Sequence, residues 1–197
     1  MSKPALILAS TSVYRQALLE KLTPNFSTAK PDVDESPLAG ETPQQLVERL
    51  AVLKAQAIAS KHNEAIVIGS DQVAVFENDI LGKPHTVDKA IAQLSRFSGK
   101  TVTFLTGLAV VTSATGQVQV LTDAFKVSFR PLTPDEIRCY VEREMPLNCA
   151  GSFKSEGLGI TLFSKLEGDD PNSLIGLPLI KLHQLLKNTG LDLLLAP

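Results

Sequence analysis

The 197-residue chain is poor in cysteine and histidine, with two of the first and three of the second. Cys139 and Cys149 make no disulfide framework and lack the spacing of metal ligands, which points to a reducing cytosol. His62, His85 and His183 lie scattered, so a histidine-centred mechanism finds no support. Charge of one sign is also lacking: 19 Lys and Arg against 21 Asp and Glu leave a net −2. Duplex DNA or RNA therefore meets no basic field, although a few local cations can still hold a small anion. Long apolar runs are missing as well. The stretch from Pro4 to Ala9 is too short for a signal peptide or a membrane span, and no other stretch reaches spanning length. There is no linker, internal repeat or low-complexity segment. No Walker A, GxGxxG, HExxH or Ser/His/Asp arrangement can be read.

What is present is an ordinary globular composition, 44% hydrophobic and 20% charged, over a length that fits one domain, residues 1–197, with a real core. Strands and helices alternate. Ala5–Ala9 reads as a buried strand followed by a helix over Val13–Leu22, and Pro31–Gly40 is a polar, acidic loop. Thr42-Pro43-Gln44-Gln45 opens a long helix to about Lys61, with Thr as cap, Pro first and Gln third. A strand around Asp71 leads to a hairpin tip at Glu77-Asn78-Asp79. Thr86 caps a helix ending at Gly99. Strands over Thr101–Thr112 and Val118–Phe129 meet at a turn near Gly116. Thr133-Pro134-Asp135-Glu136 repeats the cap-and-proline pattern for a helix to Glu144. A glycine-rich strand region, Cys149–Leu162, and a final helix, Leu179–Leu186, complete the reading. The expected architecture is α/β: a mixed, twisted central sheet with helices on its faces.

Asp71 is the most informative residue. It interrupts Ile66-Val67-Ile68-Gly69-Ser70-Asp71-Gln72-Val73-Ala74-Val75, an apolar run of the kind covered on both faces. An unpaired carboxylate there costs several kcal/mol, so a cation, metal or strong donor should stand beside it, unless the residue simply completes a turn at the strand end. Ser10-Thr11-Ser12-Val13-Tyr14-Arg15 sits at a strand-to-helix junction. Unpaired N–H groups and the helix dipole favour anions there, and an arginine can fork onto phosphate; an ordinary serine cap with a solvent-facing arginine fits equally. Lys54 lies four residues after Leu50 and four before Ile58, on the inward face of its helix. It is either a snorkelling rim lysine or one aimed at a buried anion or carboxylate. Gly82-Lys83-Pro84 holds a lysine in a stiff turn. Together, Arg15, Lys54 and Lys83 with Glu35 and Asp71 make the inventory of a phosphate site with a divalent metal.

The ordered set Ser-x-Ser-x-x-Arg, Val33-Asp34-Glu35, Arg49-Leu50-Ala51 with Lys54-Ala55, Gly-Ser-Asp-Gln, Gly-Lys-Pro, Asp170-Pro171-Asn172 and Gly176-Leu177-Pro178 resembles the Maf family of nucleoside triphosphate pyrophosphatases over nearly the whole chain. The resemblance implies a two-lobed α/β fold with a cleft, related to inosine triphosphate pyrophosphatases. It also implies cleavage between the α- and β-phosphates with a divalent cation, Mg²⁺ or Mn²⁺, and a homodimer would suit the family. Carried over, Asp71 is the proton acceptor. Ser10, Ser12, Arg15, Lys54 and Lys83 hold the triphosphate, and Glu35, with Asp71 as ligand or base, helps bind the metal. Three substrate-deciding positions match Tyr14, Gln72 and Glu156. The last two, with Ser152-Phe153-Lys154-Ser155-Glu156-Gly157, look like the branch resembling 7-methyl-GTP pyrophosphatases, although that branch usually has Trp where Tyr14 stands. An aromatic face suits a methylated, cationic guanine, and a carboxylate can accept from its N1–H and amino group. The alternatives are a UTP or dTTP pyrophosphatase, or a nucleotide-sensing regulator of septum formation.

Overall fold

Residues 4–77 and 79–195 are described by a computed structural model. Along the chain run β1 (Ala5–Leu8), α1 (Val13–Glu20), β2 (Ser27–Thr28), α2 (Pro43–Ala59), β3 (Ala65–Phe76), β4 (Asp79–Leu81), α3 (Val87–Phe97), β5 (Thr101–Thr112), β6 (Gln117–Phe129) and α4 (Pro134–Glu144). Two 3-10 turns, Ala150–Ser152 and Leu158–Leu162, precede β7 (Phe163–Glu167), α5 (Pro171–Ile175) and α6 (Leu179–Asn188). Hydroxyl caps start four of the helices: Ser12, Thr42, Thr86 and Thr133 each accept a first-turn N–H. At Thr42 and Thr133 the bond is reciprocated by Gln45 and Glu136, and a proline opens the helix, so the cap-and-proline reading holds in detail.

The strands form a seven-stranded sheet in the order β2-β1-β3-β5-β6-β7, with β4 pairing β3. β1 runs parallel to β2 and β3, while β4 is antiparallel to β3 and β7 to β6, so the sheet is mixed. β3 is buried at nearly every position, as the apolar stretches on either side of Ser70-Asp71-Gln72 require. Asn78, within the expected hairpin tip, lies outside the described residues; its flanks pair as Phe76 with Asp79.

One expectation fails. Cys149–Leu162 is not a strand but two 3-10 turns joined by irregular chain. Gly151 and Ser152 take φ of 75° and 61°, left-handed values that end any extended run. The strand in this region is instead β7, which directly follows the second turn.

The chain divides into two compact units. The first comprises the described residues of Met1–Asp71, Thr106–Asp123 and Gly176–Pro197, and the second Gln72–Leu105 and Ala124–Ile175. A core cluster of the first unit is small and aliphatic: Ala51, Ala55, Ile58, Val67, Ala109 and Val111 are among its members. Here α2 rides directly on the sheet. A Cβ at Gly69 would lie 2.1 Å from the Ala51 carbonyl oxygen, and one at Gly107 2.2 Å from that of Val47. Only glycine fits two such approaches. The second unit is packed with rings instead: Phe97, Phe104, Phe129 and Phe153 share its core. Edge-to-face contacts join Phe129 to Phe153 at 5.7 Å and Phe153 to Phe163 at 4.8 Å between centroids.

Candidate active site

Side chains two apart on a strand share a face, so Gly69 and Asp71 both look toward α2. Because Gly69 lets the helix backbone touch the sheet, the lysine one turn along from Ala51 is brought to Asp71. Lys54 Nζ donates to Asp71 Oδ1 at 2.7 Å and to Glu35 Oε2 at 2.8 Å. The side chains of Lys54 and Asp71 are 7% and 11% exposed, and that of Glu35 57%, so the cluster opens to solvent at Glu35. The cation demanded by a carboxylate inside an apolar strand is thus a lysine.

Glu35 is held in reach by its own loop. Asp34 Oδ1 accepts the Ser36 N–H at 2.9 Å, and hydrogen bonding from the Ser36 side chain first and its N–H second lowers the Asp34 carboxyl from its ordinary pKa. Arg49 on α2 donates to both oxygens of Glu41, at 2.5 and 2.8 Å, and to the Ser36 carbonyl at 3.0 Å. Of the acidic trio Asp32, Asp34 and Glu35, then, it is Glu35 that meets the lysine.

The strand-to-helix junction is ordered by its hydroxyls. Ser10 Oγ accepts the Ser12 N–H at 3.1 Å, and Ser12 Oγ accepts the Arg15 N–H at 3.4 Å. Both oxygens accept, which leaves each hydroxyl hydrogen as a donor. Tyr14 is the second residue of α1 and half-buried. Arg15 Nε donates to the Gly176 carbonyl at 2.8 Å, and the buried Ser70 hydroxyl donates to the same oxygen at 3.0 Å. Gly176 turns that carbonyl with φ of 123°. Burial lowers the pKa of Arg15, against the opposing charges of Asp71 and Glu35, yet an arginine so placed stays cationic.

Ser10, Ser12, Tyr14, Arg15, Glu35, Lys54 and Asp71 belong to the first unit, and Gln72, Lys83 and Glu156 to the second. Gln72 Nε2 donates to the carbonyls of Ser173 and Leu174, at 2.8 and 3.2 Å, tying β3 to α5. Lys83 is exposed in the loop after β4. Glu156 is exposed in the chain between the 3-10 turns, not on a strand. That chain is braced from α4. Tyr140 Oη accepts the Lys154 N–H at 3.0 Å, and the Lys154 ammonium donates to the Glu144 carbonyl at 2.8 Å. Burial is the main cause that pushes the Tyr140 hydroxyl far above its usual pKa, so it stays protonated.

Sequence reasoning gives no role to Ser70 or Gly176, although both lie in the quoted motifs, and passes over a second ion pair, buried Asp123 of β6 with half-buried Lys181 of α6. Asp123 carries the signal that exposes Asp71, an acid within a strand, but its flanks are more polar. Among the described residues no group of three or more His, Cys, Asp and Glu side chains forms a metal centre. Nor is any helix among them long and apolar enough to cross a membrane.

Two cations, Arg15 of α1 and Lys54 of α2, thus come together with two carboxylates, Asp71 of β3 and Glu35 of the loop before α2, charges of the kinds that suit a polyanion and a hard cation. The Maf-like protein family matches residues 5–189, and the chain belongs to that family. It is 58% identical over 194 residues to the 7-methyl-GTP pyrophosphatase of Pseudoalteromonas translucida, covering 98% of this chain and 96% of that one. It is also 58% identical over 194 residues to the 7-methyl-GTP pyrophosphatase of Vibrio cholerae, covering 98% and 100%. Among solved structures it is similar to the Staphylococcus aureus Ham1 protein, at a TM-score of 0.44 and 17% identity over 64% of this chain and 71% of that one, too distant to define a shared fold.

Proposed function

We propose that this chain, as one Maf domain in the cytosol, hydrolyses N7-methyl-GTP to N7-methyl-GMP and diphosphate. The observation that carries the reading is the buried Asp71–Lys54 pair with Glu35 on the same ammonium; relatives named for this activity, 58% identical over nearly their full length, support it. Water attacks the α-phosphorus, the bond from that phosphorus to the oxygen bridging to the β-phosphate breaks, and diphosphate leaves. Lys54 occupies Asp71 Oδ1, so Oδ2 accepts the proton of the attacking water. Lys54, Arg15 and Lys83 offset the charge that gathers on phosphate oxygens, and the Ser10 and Ser12 hydroxyls donate to them.

Arg15 and Lys54 are cancelled by Glu35 and Asp71, so a triphosphate calls for further positive charge. Two carboxylates converging on one ammonium are hard oxygen donors of the kind Mg²⁺ or Mn²⁺ takes along with water and substrate phosphates. Glu35 and Asp71 would hold that ion. When bound, it supplies charge neutralisation on the phosphates.

Tyr14 and Glu156 select the base. N7-methylated guanine carries a delocalised positive charge, and an aromatic face attracts it by about 0.5–2 kcal/mol. The Glu156 carboxylate accepts from guanine N1–H and the amino group, donors that uracil and thymine do not present in that pattern. Gln72 contributes by holding α5 in place.

The test is diphosphate release with Mg²⁺ or Mn²⁺ from 7-methyl-GTP, GTP, UTP, dTTP and ITP. Preference for 7-methyl-GTP is the expected result. Preference for UTP or dTTP would keep the phosphate chemistry and sink the base reading; bound nucleotide without turnover would favour a sensor. In Glu156→Gln, 7-methyl-GTP use should fall selectively, and an equal loss on UTP would remove Glu156 from base selection.

A further inference from the structure

Gln93 lies on α3, half-buried, beside the fully buried Leu94. Its two amide atoms serve two different segments. Oε1 accepts the Ser152 hydroxyl at 2.5 Å, and Nε2 donates to the Gly82 carbonyl at 3.3 Å. Gly82 directly precedes Lys83, and Ser152 begins the irregular run that reaches Glu156 four residues later. Gly82 lies outside any helix or strand and Ser152 ends a single 3-10 turn, so bonds from outside help to hold each. The Gly82 loop is also anchored by the His85 N–H, which donates to the Leu147 carbonyl at 3.0 Å from a residue with φ of 62°. Ser152 is fully buried with φ of 61°, a backbone that a β-carbon tolerates poorly and that its hydroxyl bond helps hold.

Resting on the reading above, we infer that Gln93 is a positioning residue that sets both the phosphate-binding lysine and the base-reading carboxylate from one rigid helix. The amide is the side chain for this task because it donates at one end and accepts at the other. A carboxylate at position 93 keeps the bond from Ser152 and loses the bond to Gly82. Glycine at position 152 keeps the left-handed backbone without strain and removes the hydroxyl.

Gln93→Glu should therefore weaken the use of 7-methyl-GTP, GTP and UTP alike, raising KM and lowering kcat together, by about twofold to tenfold in kcat/KM for one lost hydrogen bond. Ser152→Gly should leave KM for UTP unchanged and cut the preference for 7-methyl-GTP and GTP over UTP by a similar factor. Gln93→Leu should do both. Amide hydrogen exchange of the free protein gives a readout independent of turnover. Exchange should quicken at residues 82–85 in Gln93→Glu, at residues 152–157 in Ser152→Gly, and at both in Gln93→Leu. A common shift of KM and selectivity in all three variants, or unchanged exchange in Gln93→Leu, overturns the assignment. A wild-type protein that releases no diphosphate sinks the enzymatic reading alone, since the exchange pattern still decides the role of Gln93.

Discussion

Phe26 is the only phenylalanine in the first unit, while the other seven of the chain's eight fall in the second. The first unit packs alanine, valine and isoleucine around two glycines that let α2 lie on the sheet. The second fills its interior with interlocking rings. This difference has a chemical consequence. A helix pressed onto a strand leaves no room for a flexible contact, so Lys54 meets Asp71 within a buried, narrowly defined space. Rings fill volume and leave irregular segments to be hung from side-chain bonds, as the chain bearing Glu156 is hung from Tyr140 and Glu144. The proposed base, Asp71, sits with the tight packing, and the proposed base-reading carboxylate, Glu156, with the looser segments.

Several substitutions break or sharpen this contrast. Asp71→Asn should lower kcat by about 10²–10⁴-fold with nucleotide binding retained, as expected for loss of a general base. Diphosphate release and equilibrium binding measure the two sides, and an active variant removes Asp71 as the base. Phe97→Ala deletes a fully buried ring in contact with Phe76 and Phe129, which should destabilise the fold by about 3–5 kcal/mol. Adding a single methyl in the first unit should also be felt: Gly69→Ala, facing the Ala51 carbonyl, should cost about 1–3 kcal/mol or more. Denaturant melts give both values. A neutral Gly69→Ala would mean that α2 can back away from the sheet, and the contrast between the units would fall. The smallest effect concerns acid. Hydrogen bonds from Arg49 hold the Glu41 carboxyl at about 2. A depressed pKa contributes stability that is present above the ordinary carboxylate range and is lost as pH falls toward 2. Melting temperatures taken from pH 7 to pH 2 should fall less steeply in Glu41→Gln than in the parent. Parallel curves would show that the Arg49 clamp does not couple to folding.

Much of this was legible from pattern. Thr42, Thr86 and Thr133 announce their helices because a hydroxyl cap, joined at Thr42 and Thr133 by a proline, has local causes. The apolar run around Asp71 requires burial, and the four-residue spacing of Leu50, Lys54 and Ile58 turns the lysine inward. The contact between Lys54 and Asp71 was not legible, since it depends on how closely α2 approaches Gly69, and a lone glycine in a strand does not say what comes near. β2, with two residues, and β7, exposed along most of its length, carry no alternation to read. Cys149–Leu162 mimics a strand in composition, and only the left-handed Gly151 and Ser152 reveal the turns. The bonds of Gln72 and Gln93 to distant carbonyls leave no periodic trace at all.

The order in which the units are written along the chain bears on how the protein is made. Every residue of the second unit lies between Gln72 and Ile175, whereas the first collects three stretches and includes α6, whose Leu182 and Leu186 are fully buried. On the ribosome, the ring-packed half has all its material before α6 emerges, while the half holding Asp71 must wait for α6, which follows the whole of the second unit. Stalled or shortened chains should thus keep their aromatic core and lack the finished cradle around the lysine, giving folded fragments without turnover.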